Sequence, residues 1–146
     1  MGDKPSAKEQ FKAQDKSLPF KEPEAIDADC LECFAYEYAE NPPGGEIEIV
    51  TRTNEFTTVC PFSGLPDFAE VTITYTPDKK CVELRSLKYY LMSYRDVGIW
   101  YEDLVNRMLE DLVKAIEPIS MEIVIAANAR GGLSSTVTAR YSRVSL

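Results

Sequence analysis

The sequence predicts an α+β domain in which a four-stranded antiparallel sheet carries a pair of helices on one face, in the order ββααββ. Three observations carry this prediction. Apolar and polar residues alternate with period two over residues 46–53 and 70–76, the period lengthens to that of a helix over residues 86–117, and strand patterning returns at 121–127 and 135–141. A chain of 146 residues has room for one such domain and a moderate core.

Taken in order, residues 1–30 are rich in Lys, Asp, Glu, Pro and Ser and poor in apolar side chains, so they are expected to form a flexible N-terminal arm, with 31–146 as the single folded domain. Leu31 to Tyr38 supplies aromatic residues for an edge strand or a turn of helix, and Asn41-Pro-Pro-Gly-Gly45 stops it. Glu46 to Thr53 is the first alternating strand. A connecting loop carries Cys60 and Asp67. Glu70 to Thr76 alternates with Val71, Ile73 and Tyr75 on one face, and Pro77 to Lys80 turns the chain.

Leu87, Tyr90, Leu91 and Tyr94 then fall at i, i+3, i+4 and i+7, which predicts a helix from Ser86 ending near residues 95–98. A second helix starts near Trp100, carries a broad stripe from Leu104 to Ile116, and ends at Glu117-Pro118. Met121 to Ala127 reads as a strand buried on both faces or nearly so. Arg130-Gly-Gly132 makes a turn, and Ser135 to Tyr141 closes the sheet. The edges of such a sheet remain open, so self-association is expected.

Composition narrows the chemistry. The net charge of −8 disfavours non-specific nucleic-acid binding and favours a small-molecule partner. No apolar run is long enough to span a bilayer and the N-terminus lacks a signal-peptide core, so a cytoplasmic location is expected. Histidine is absent, which removes Ser-His-Asp and Cys-His pairs and any metal site built on imidazole; no metal is expected. Cys30, Cys33, Cys60 and Cys81 are read as free thiols rather than a disulfide framework, and Cys30-Leu-Glu-Cys33 as small residues entering a strand.

Cys60 is followed by Pro61, Gly64, Pro66 and Asp67, the pattern of a nucleophile on a constrained turn with a carboxyl group for proton exchange. Alone the pair is a weak signal, because a loop cysteine is more often structural. Arg85 and Lys88, three residues apart on a helix, suit an anion such as phosphate, or form an ordinary solvated face. Arg130 could add a third cation where two glycines let a ligand approach. Glu102, in the first turn of the second helix, either complements the helix dipole or accepts N–H donors from a purine-like edge.

Together, Val59 to Ala69, Glu83-Leu-Arg-Ser-Leu-Lys-Tyr-Tyr90, Trp100-Tyr-Glu-Asp103 and Arg130-Gly-Gly132 resemble the single-module NADPH-dependent 7-cyano-7-deazaguanine reductases, nitrile reductases of queuosine biosynthesis in the tunnelling-fold superfamily. The resemblance covers about residues 31–141. It implies that Cys60 adds to the nitrile carbon to form a thioimide, that Asp67 protonates the nitrile nitrogen, and that two NADPH deliver two hydrides. It implies substrate contacts at Glu83, Leu84, Ser86, Tyr101 and Glu102, and NADPH-phosphate contacts at Arg85, Lys88 and Arg130. It further implies a barrel-like homo-oligomer, possibly a decamer, with sites at subunit interfaces.

Two departures stand out: Arg85 replaces the family's usual lysine, and Tyr101 stands where many members have histidine. Two other readings use the same fold. One is the amidinotransferase-like relative that acts on the cyano-deazaguanine base in tRNA; the other is a non-catalytic ligand-binding subunit.

Overall fold

The computed structural model describes Ser6 and residues 17–144. Two strands, two helices and two strands form the body of the molecule. The four-stranded sheet consists of β2 (Ile49–Val59), β3 (Pro66–Thr76), β5 (Ser120–Ala127) and β6 (Thr136–Ser142), antiparallel throughout and in that spatial order. A short ladder pairs β1 (Cys33–Ala35) with β4 (Lys80–Val82) and lies apart from it. Helices α1 (Leu84–Met92) and α2 (Tyr101–Ile116) connect β4 to β5. No helix among the described residues is long and apolar enough to cross a membrane.

The core forms where the apolar faces meet. Val71, Ile73 and Tyr75 of β3 and Met121, Ile123 and Ile125 of β5 face Leu104, Met108, Leu112 and Ile116 of α2, and all are buried. Burying a side chain of this size stabilises the fold by roughly 1.5–3 kcal/mol, which explains why the helix stripe and the strand alternation share one interface. Tyr90 ties α1 to α2: its hydroxyl lies 2.8 Å from that of Tyr94 and donates to Asp111 Oδ2 at 2.7 Å, and Arg107 holds the same oxygen at 2.8 Å. Glu117 ends α2 with a left-handed φ of 48°, and Arg143 donates to its carbonyl oxygen at 2.8 Å.

Several expectations change in detail. β2 runs six residues past Thr53, and an irregularity between Thr53 and Phe56 inserts one residue against β3. That insertion reverses the alternation, so the buried Phe56 and Thr58 continue the inward face begun by the half-buried Ile49, Thr51 and Thr53. β3 begins at Pro66 rather than Glu70, and Asp67 therefore belongs to a strand and not to the loop. The first helix starts at Leu84 and stops at Met92. β5 is buried on one face and half-buried on the other.

Of the arm expected over residues 1–30, residues 1–5 and 7–16 lie outside the described residues. From Ser17 onward the chain is docked: Ile26 is buried in the core, and residues 23–25 and 28–30 form two short 3-10 turns.

Candidate active site

The end of β2 is anchored before it delivers its cysteine. Thr58 is fully buried and donates through Oγ1 to the Val97 carbonyl at 2.7 Å, and the Val59 amide donates to the same oxygen at 3.1 Å. Cys60 then opens a tight turn. Its amide donates to the Leu65 carbonyl at 2.9 Å, and the Gly64 amide donates back to the Cys60 carbonyl at 2.8 Å.

Gly64 has a φ of 73°, and a Cβ there would collide with the carbonyl of Leu18. Only glycine meets both demands. The Leu18 amide donates to the Ser63 carbonyl at 2.8 Å, so residues 18–21 form a strap across the turn. Lys21 continues it, donating to Asp96 at 2.7 Å and accepting from the Gly98 amide at 2.9 Å.

The turn alters the thiol. Partial burial opposes ionisation of Cys60, but hydrogen bonds from the Ser63 backbone and hydroxyl and from the Phe62 backbone outweigh it, and the pKa falls below the ordinary thiol value even though the Asp67 charge pushes the other way. Cys30 and Cys81 shift upward, each mainly through burial, with Asp27 adding to the effect at Cys30. Of these three, only the cysteine on the constrained turn is shifted toward the thiolate.

Asp67 reaches the same place from β3. Thr58 pairs with Asp67 and Val59 with Pro66 across the ladder, so Asp67 lies beside the last residues of β2, near enough to Cys60 for its charge to act on the thiol. Asp67 is buried, and Arg130 Nε lies 2.6 Å from its Oδ1. The guanidinium acts there as a charge partner: Oδ1 is buried and no donor is aimed at it with hydrogen-bond geometry. Arg130 Nη2 also donates to the Pro66 carbonyl at 2.5 Å. Tyr101, the first residue of α2, completes the cluster. Burial, followed by the charge and hydrogen bonding of Asp67, pushes its pKa up to about 12, with Arg130 acting in the opposite direction.

Among the described residues, Glu83, Leu84, Arg85, Ser86, Lys88 and Glu102 make no hydrogen bond or ion pair with this cluster. Glu83 is the N-cap of α1, its carboxylate accepting from the Arg85 amide at 2.8 Å and the Ser86 amide at 2.7 Å, and those two bonds lower its pKa. Ser86 is buried, with its hydroxyl accepting from the Glu32 amide at 2.9 Å and donating to the Glu83 carbonyl at 2.7 Å. The structure thus places both side chains in the helix start.

Leu84, Arg85 and Lys88 are exposed on α1. Leu84 and Lys88 border a cleft of about 330 Å³ with Arg95, Met92 and Thr51, Thr53 and Thr57 of β2. Glu102 is exposed beside Tyr101, and its carbonyl accepts from Asn106 Nδ2 at 2.8 Å. Arg130, expected beside a phosphate, is engaged with Asp67.

Sequence reasoning missed Ser63 and Thr58. A serine inside a Cys-Pro-x-Ser-Gly turn is a cue for local hydrogen bonding, and its Oγ also accepts from the Leu65 amide at 3.3 Å. Nothing in the sequence points to the anchoring by Thr58. Phe62, Leu65, Phe68, Trp100 and Leu133, each adjacent in sequence to this site or on its turns, are exposed.

Comparison with known proteins bears directly on this geometry. A family model described as QueF-like protein matches residues 66–145. The NADPH-dependent 7-cyano-7-deazaguanine reductase of Caldicellulosiruptor bescii is 52% identical over 120 residues, covering 82% of this chain and 88% of that protein. The reductase of the same name from Chloroherpeton thalassium is 49% identical over 111 residues, covering 76% and 92%. Among solved structures, the apo archaeosine synthase QueF-Like superposes with a TM-score of 0.60 at 25% identity, over 73% of this chain and 100% of that one.

Proposed function

The chain belongs to the NADPH-dependent 7-cyano-7-deazaguanine reductases, and from that premise we propose that it reduces the nitrile of free 7-cyano-7-deazaguanine to an aminomethyl group through a covalent thioimide on Cys60, in tRNA queuosine biosynthesis. The observation that carries the mechanism is the pairing of a thiol made more acidic by its own turn with a buried carboxyl group on the adjoining strand.

As Cys60 adds to the nitrile carbon, the Asp67 carboxylate takes the thiol proton and passes it to the nitrogen, giving a neutral thioimide. Hydride from a first NADPH adds to that carbon, and departure of the thiolate leaves an imine. Hydride from a second NADPH and a proton complete the amine. The balance is one nitrile, two NADPH and two protons to one amine and two NADP⁺.

Arg85 and Lys88 suit the cofactor phosphates, because both are exposed cations and neither has an ion pair among the described residues. Glu102, exposed next to Tyr101, suits the donor edge of the deazaguanine. Leu84, Ser86 and Glu83 would contribute mainly by shaping the start of α1. The exposed apolar residues around the Cys60 cluster, together with the exposed cations on α1, support completion of the site between copies of the chain in a homo-oligomer. The four free thiols fit a cytoplasmic location.

NADPH oxidation on addition of free 7-cyano-7-deazaguanine tests the reading. The expected result is turnover with two NADPH consumed per amine, a covalent adduct on Cys60 visible by mass spectrometry, and loss of both in Cys60→Ala. Absence of NADPH oxidation at saturating nitrile would overturn it. The likeness to archaeosine synthase supports an alternative on base already in tRNA, and at 25% identity it is outweighed by relatives near 50%.

A further inference from the structure

We propose that Arg130 is a positioning residue for Asp67, bracing both the carboxyl group and the start of β3, and is not a ligand of the cofactor phosphates. The kinetic part of this proposal rests on the reductase reading; the chemical part stands without it.

The guanidinium is used twice on adjacent residues of one strand. Nε lies 2.6 Å from Asp67 Oδ1, and Nη2 donates to the carbonyl of Pro66 at 2.5 Å. A planar fork can span a side chain and the preceding backbone carbonyl, whereas a lysine ammonium concentrates its charge at one point. Burying a carboxylate without a partner costs several kcal/mol, and Asp67 is the one buried acid among the described residues. Arg130 supplies the partner.

The backbone fixes Arg130 in place to do so. The Arg130 amide donates to the Leu133 carbonyl at 2.7 Å, and the Leu133 amide returns a bond at 2.9 Å. Between them Gly131 and Gly132 have φ of 54° and 81°, the two positive values that a tight turn of this kind requires. Just before the turn, the Asn128 amide donates to the Phe68 carbonyl at 2.9 Å. The turn is therefore tied to the strand residue that follows Asp67. The charged and titratable groups facing Asp67 are Arg130 from this turn, Tyr101 from α2 and Cys60 from its own turn.

A residue that holds Asp67 and one that holds a phosphate differ in what their loss changes. Arg130→Met is expected to lower kcat about a hundredfold, the scale on which a misplaced catalytic group costs rate, while KM for NADPH stays within about threefold and the preference for NADPH over NADH is kept. Arg130→Lys should recover only part of kcat.

Alkylation of Cys60 by iodoacetamide, followed on its own peptide at a pH below the ordinary thiol pKa, gives a readout independent of turnover. Arg130→Met should slow it about three- to tenfold, because Asp67 then opposes the thiolate without a counter-charge. In an Asp67→Asn background, adding Arg130→Met should change nothing further.

The proposal is overturned if Arg130→Met raises KM for NADPH tenfold or more and narrows the NADPH preference with kcat intact, or if it alters alkylation equally with and without Asp67. Were Arg130→Met to misfold, Arg130→Lys in the same cycle decides by the same criteria. A wild-type chain that oxidises no NADPH would sink the reductase reading and leave the alkylation cycle to judge Arg130.

Discussion

Cys60 sits on a turn closed by its own backbone bonds, strapped by Leu18 and faced by an ion-paired Asp67, whereas Arg85 and Lys88 stand on α1 with no ion-pair partner among the described residues. The two regions carry the two halves of the proposed chemistry. The proposed attack on a nitrile demands that nucleophile and acid be held close to reacting geometry, and the residues assigned to both come from one chain. Phosphate recognition depends on charges that a flexible ligand can find, and these are left exposed. The difference teaches that the residues of the proposed bond chemistry are held in place within the chain, while those proposed for recognition are left exposed.

The sharpest way to break the comparison is at Gly64. Alanine there would take a φ of 73° and meet the Leu18 carbonyl, so either the strap lifts or the turn opens. The expected loss of stability is about 1–3 kcal/mol, the usual cost of forcing a side chain into such a backbone region. Cys60 alkylation should slow as well, because the Ser63 and Phe62 bonds that favour the thiolate depend on the turn. Denaturant unfolding and alkylation of the same sample check both. A variant as stable and as reactive as the parent would mean that the turn is not what prepares the thiol.

Changes on α1 should produce the opposite pattern. Arg85→Ala and Lys88→Ala are each expected to raise KM for NADPH about tenfold, a typical loss for one charge-assisted contact, and to leave Cys60 alkylation and stability unchanged. Steady-state kinetics with NADPH varied, set against the alkylation rate, separates the regions. A slowed alkylation in either variant would show that the helix and the turn are coupled.

This separation explains how much could be read beforehand. The ββααββ order follows from changes of period, because long amphipathic helices and alternating strands state their buried faces in the sequence. The inserted residue between Thr53 and Phe56 could not be read that way: it reverses the alternation midway and hides the second half of β2. β4 is three residues long, too short for any period. Cys60 and Asp67 were legible as a pair because they are close in sequence. The bond from Arg130 to Pro66 spans 64 positions and depends on where the β5–β6 turn meets β3, which only the fold reveals. Glu83 was legible as a charge near a helix start, but its commitment to the cap depends on the backbone geometry of Glu83 itself.

That commitment gives the mildest test. The Glu83 carboxylate accepts two backbone N–H groups, and its pKa in the folded chain is lowered for that reason. A depressed folded pKa contributes stability above the unfolded value, and the contribution disappears as pH falls through the folded one. Glu83→Ala should therefore melt below the parent at neutral pH, and the gap should close as the pH drops below about 4, where unfolded carboxylates protonate. Thermal melts of both proteins across that range measure it, with a shift smaller than that of Gly64→Ala. If the melting curves coincide at every pH while substrate affinity falls, Glu83 belongs to recognition after all, and the exposed region extends one residue further into the helix cap.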